Sequence, residues 1–279
     1  MLTLADDHLK KEKNKIMGKF FSVNVNPDCI NGDVSENNGT DDVATGDIVF
    51  DWTAVDVPNG SSLLRSIIAV ANGEDGAVAG SAIDLELLFA KSIDGVAPPS
   101  LGAINAAPGA AMSGTNSWSN HLVGAFRLEG VAGDGTLGKI PTRVVYTAPG
   151  SGADTDLGGP TVMDTEPNTG TTKGFGKLYV AGIHVTGRNY GTGVLADGAV
   201  DASSAQSTTV TVKTVDARKL FSIGDQVYVV GNDTPIPGTL TKVEATTLTF
   251  STANTTVDMS DGVELLNANP YKIKLGFEQ

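Results

Sequence analysis

A chain of 279 residues is long enough for one large β domain, or for a medium domain with a small one beside it. With 40% hydrophobic and 18% charged residues it has the composition of a chain that folds, which excludes extended disorder. Its 19 basic and 32 acidic residues give a formal charge of −13. That charge opposes contact with nucleic acid, where affinity comes from neutralising phosphates, and with anionic membranes.

The N-terminal segment 1–16, MLTLADDHLKKEKNKI, holds four Lys and three acidic residues in a helix-prone run just ahead of Met17. It reads as an upstream leader with Met17 as the natural start, or as a short helix of the protein itself. It lacks the apolar centre of a signal peptide. No run reaches 18 apolar residues, so no transmembrane helix is predicted. Cys29 is the single cysteine and cannot form a disulfide within the chain, which fits synthesis in a cytoplasm.

The 34 glycines, among many Thr, Ser, Asn and Asp, describe a chain that turns often between short apolar segments, the texture of an all-β protein. Residues 17–45 predict an extended arm, because the part from 22 onward carries almost no bulky apolar side chain. Next, Ile48, Phe50, Trp52 and Ala54 alternate with Asp47, Asp51 and Thr53, the period of two of a half-buried strand. SSLLRSIIAVANG admits a helical stripe of Leu64, Ile67, Ile68 and Ala71, but its Ile and Val content favours a strand. Ile83, Leu85, Leu87 and Phe89 again repeat every second residue.

Residues 93–120, rich in Ala, Gly, Pro and Ser, predict a long surface loop. Strands follow in HLVGAFRLEGV, with Leu122, Phe126 and Leu128 opposite Arg127 and Glu129, in KIPTRVVYTAP and in FGKLYVAGIHV. The last is apolar on both faces and is expected at the centre of its sheet. Residues 46–201 thus predict a β-sandwich or jelly-roll-like main domain.

From about Ala202 the segments STTVTVKTV, DQVYVV, GTLTKV, TTLTF and VELL predict short strands of a small β-barrel-like module over 202–269. In residues 270–279 Tyr271, Ile273, Leu275 and Phe277 alternate with Lys272, Lys274 and Glu278, a strand that needs a partner sheet. Its return to the main domain after Pro270 would make the small module an insertion.

Gly133, Gly138 and Lys139 match the spacing of a phosphate loop. Such a loop needs Ser or Thr after the Lys and a helix behind it, whereas Ile140 and Pro141 lead into TRVVYT, so a glycine-rich hairpin is expected. Asp154, Asp156 and Gly158 resemble the start of a calcium loop, but position 165 is Thr where an acidic ligand belongs, and Glu166 is one place off. His8, His121 and His184 have no Ser, Cys or carboxylate at a suggestive spacing, and no GxSxG elbow occurs. No catalytic, cofactor or metal residue is assigned and no enzyme activity is expected, although a glycosidase pair stays open because its carboxylates can lie far apart in sequence. Asn-x-Ser/Thr at Asn38, Asn59, Asn232 and Asn254 reads as turn composition. Trp52 belongs to a core-facing strand, whereas Trp118, in the long loop, is open to either burial or an interface.

The acidic, Gly/Thr/Asn-rich β composition resembles that of virion structural proteins of tailed bacteriophages. So do the module LFSIGDQVYVVGNDTPIPGTLTKVEATTLTF, with its Gly224-Asp225-x-Val227 turn into a strand, and the closing PYKIKLGFE. The resemblance implies a capsid decoration or cement protein of sandwich or barrel form, often trimeric, that sits on the major capsid protein at the virion surface and braces the shell. The contacts expected are in segments 22–45 and 93–120, through Val25, Pro27, Pro98, Pro99 and Trp118, since both segments lack a core of their own and would order on docking. The alternatives are a tail- or fibre-associated protein that binds host glycan or a baseplate partner, and a carbohydrate-binding module. The last would need a groove of exposed aromatics, which are only 6% of the chain.

Overall fold

The computed structural model describes residues 20–29, 44–58, 60–71, 84–109, 117–129, 142–147, 161–165, 175–185, 194–200, 207–213, 216–232 and 234–279. In chain order the strands are β1 (Phe20–Val25), β2 (Ile48–Pro58), β3 (Gly60–Ala71), β4 (Asp84–Lys91), β5 (Leu122–Glu129), β6 (Thr142–Thr147), β7 (Thr161–Thr165) and β8 (Phe175–His184). Then come β9 (Val194–Ala196), β10 (Ser207–Lys213), β11 (Val227–Val229), β12 (Leu240–Val243), β13 (Thr247–Asn254), β14 (Glu264–Asn267) and β15 (Tyr271–Glu278). Short 3-10 turns occupy Trp118–His121 and Ala217–Lys219, and no α-helix occurs among the described residues.

The fold is all-β and antiparallel, with a curled half-barrel sheet near the C-terminus. One sheet runs β1-β15-β3-β6, with β7 beside the other half of β3, and a second runs β2-β8-β4-β5. These two share a core that includes Phe50, Ile67, Leu85, Phe89, Leu178 and Tyr271, and so form a sandwich. Full burial of each such side chain is worth about 1.5–3 kcal/mol, so the shared core holds the two sheets face to face.

The closing alternation is realised side chain by side chain: Tyr271, Ile273, Leu275 and Phe277 are buried and Lys274 is exposed. β15 lies between β1 and β3, with Ile273 opposite Val25 on one side and Ala69 on the other. β8 is central between β2 and β4. Its Leu178 and Val180 face the sandwich core, while Ala181 and Ile183 pack on the opposite side with Ile48, Leu88, Leu101 and Trp118. Residues 97–109 and the 3-10 turn at Trp118 thus form a third layer over this sheet, which is why β8 is apolar on both faces.

The described part of the expected surface loop is irregular, as a loop should be, but it is anchored to β2. Ile48 N donates to Ala106 O and Asn105 N to Ile48 O, each at 2.9 Å. Trp52 Nε1 donates to Pro99 O at 2.9 Å, and Leu101 N to Asp51 Oδ1 at 3.0 Å. The segment is sewn to β2 along its backbone, and its Leu101 has no exposed surface. β2 also departs from simple alternation, because register shifts between Ile48 and Phe50 and between Phe50 and Thr53 turn the strand. Phe50, Val55 and Val57 therefore face the sandwich core, Ile48 and Trp52 face the third layer, and Ala54 is exposed.

Over the residues described, the expected arm begins as a strand of the sandwich. Phe20–Val25 pairs with β15 along its whole length, Val25 has no exposed surface and Cys29 is buried. Residues 17–19 and 30–43 lie outside the described residues.

The small module is the sheet β11-β14-β9-β10-β13-β12 around Val210, Val212, Leu220, Phe221, Leu248, Phe250 and Leu265. It takes in β9, which the expected boundary at 202 leaves outside. The sheet curls until its ends meet: Ile236 N donates to Val227 O, Gly224 N to Leu240 O and Leu240 N to Asp225 O, at 2.7–2.8 Å.

Candidate functional site

Where the small module meets the sandwich, the chain concentrates polar side chains between apolar strands. Gly224, at φ +94°, reverses the chain into Asp225, whose carboxylate has no exposed surface. Its Oδ2 accepts from Ser222 N at 2.8 Å and from Asn267 Nδ2 at 2.7 Å, and its Oδ1 accepts from Lys272 Nζ. A buried carboxylate held by an ammonium and two further donors has its desolvation offset, so the charge can stay inside.

Asn269 continues the network. Its Oδ1 accepts from Gln226 N at 2.9 Å and its Nδ2 donates to Pro27 O at 3.0 Å, while Lys272 Nζ donates to Asn269 O. Cys29 N donates to Ala268 O at 2.8 Å. Segment 267–272 therefore bonds at once to the small module and to residues 27–29. Nearby, burial together with the negative charge of Asp28 pushes the Tyr228 phenol up from its ordinary value. This arrangement clamps; its acceptors and donors are spent on one another.

A second feature lies on the outer face of the sheet holding β1, β15 and β3. Phe20, the first residue of β1, is 72% exposed. An open groove of about 350 Å³ runs beside it, lined by Phe20, Phe21, Ser22, Arg65, Ser66, Gly276 and Phe277. Ser66 Oγ lies where a side chain on Gly276 would begin, so one there would require the Ser66 hydroxyl to turn aside. Arg65, the extra residue at a register shift between Gly276 and Phe277, pairs with Glu278, its Nε donating to Oε2 at 2.6 Å.

The structure moves the residues expected to contact a partner into the fold. Val25, Pro27, Pro98 and Trp118 are buried and Pro99 is half-buried. Side chains already covered by their own chain have little surface left to offer, which corrects that expectation. Trp118 packs against Trp52, ring centroids 6.5 Å apart at 57°. His121 is buried with Nδ1 2.9 Å from Lys91 O, and His184 is buried. Asn254 is also buried, and its side chain closes a turn by donating to Val257 O and accepting from Val257 N. Asn232 accepts from Thr234 N.

His8, Asn38, Asn59, the 133–139 glycine run and the 154–158 acidic run lie outside the described residues. Among those described, no three His, Cys, Asp or Glu gather as metal ligands would, and no helix is long and apolar enough to cross a membrane.

Sequence reasoning passed over Asp225, Asn267, Asn269 and Lys272. The signal for the last three was present as polar residues within the six positions 267–272, between the apolar residues of two strands. No protein-family model, no curated protein and no solved structure was found to match the chain.

Proposed function

We propose that this chain is a non-catalytic structural protein of a virus particle, a capsid decoration protein that binds the major capsid protein and stabilises the shell. The observation that carries this reading is the bracing of an all-β body. One short segment, 267–272, bonds to the small module and to residues 27–29, and continues into β15 within the sandwich. Modules joined through a close-packed, fully bonded junction pass load from one to the other, as shell bracing requires. The acidic β composition and the closing PYKIKLGFE, similar to virion structural proteins of tailed bacteriophages, support the same reading.

In this role the protein is made in the host cytoplasm and ends on the outer capsid surface. Copies associate with one another as well as with the shell, so that modest contacts add up through avidity. An image reconstruction of intact particles carrying the protein tests the reading. Density for the sandwich and small module repeated over the outer shell is the expected result. Density at the tail or fibres would replace the decoration role with a tail-associated one, and absence from particles would remove both. Substrate turnover by purified protein would overturn the non-catalytic part.

A further inference from the structure

We draw no further inference here: the strongest candidate, the open groove beside the exposed Phe20 on the outer face of the sheet of β1, β15 and β3, carries none, because its Arg65 is already paired with Glu278 of the same chain and nothing in the structure shows what covers it.

Discussion

Lys272, on the last strand, donates to the carboxylate of Asp225, a residue of the small module with no exposed surface. The contact joins positions 47 residues apart and ties the returning strand to the turn that opens β11. Asp225→Ala removes the acceptor for Lys272 Nζ, Asn267 Nδ2 and Ser222 N together. The Lys272 side chain keeps 27% of its surface, so its charge finds water, and the expected loss is at the lower end of the range for breaking a buried pair, about 3 kcal/mol. Urea unfolding measures it. Lys272→Met combined with Asp225→Ala should cost less than the sum of the two single changes; strict additivity would show that the pair is not coupled.

Gly182 of β8 sits opposite Phe50 of β2, and the ring lies over it. A Cβ on Gly182 would come within 2.7 Å of Phe50 Cζ and 2.9 Å of Cδ1, and Phe50 has no exposed surface into which to move. Gly182→Ala is therefore expected to destabilise by about 1–3 kcal/mol through overpacking. Phe50→Leu, costly alone, should recover part of that loss in the double variant. A Gly182→Ala protein with an unchanged unfolding midpoint would show that the ring turns aside freely.

These two sites mark how far the sequence could be read. Alternation from Tyr271 to Phe277 and the apolar faces of β8 were legible because each position's burial follows its parity. β2 resisted because two register shifts exchange its faces, and no residue type announces them. Residues 97–109 read as a surface loop because backbone groups of Ile48, Asn105 and Ala106 hold much of the segment, and backbone bonding leaves no trace in side-chain composition. β9, three residues long, is too short to show a period. Asp225 looked like one more acidic turn residue, since its burial depends on Asn267 and Lys272, more than 40 positions away.

Trp118 offers a direct contrast between the interface expected of it and the packing observed. It is buried with Leu101, Ile48 and Leu88, and Trp52 tilts against it. Trp118→Ala should cost about 3–5 kcal/mol, the range for removing a buried aromatic, and strip one side of Trp52. Urea unfolding followed by circular dichroism checks the cost. A variant as stable as the wild type, but weaker in self-association, would return Trp118 to an interface.

Asp216 opens the 3-10 turn before Leu220, its Oδ1 accepting from Arg218 N at 3.0 Å, while Arg218 Nη2 donates to Oδ2 at 2.6 Å. The Arg218 side-chain hydrogen bond, helped by its backbone N–H and charge, lowers the carboxyl from 3.8 to about 2. A carboxyl that gives up its proton more readily when folded contributes stability fully present above 3.8, lost as pH falls through about 2. An NMR titration of the folded protein should find the Asp216 midpoint near the lower value. Arg218→Ala should return it toward 3.8. A wild-type midpoint already at 3.8 would mean that the guanidinium does not hold this carboxylate in solution.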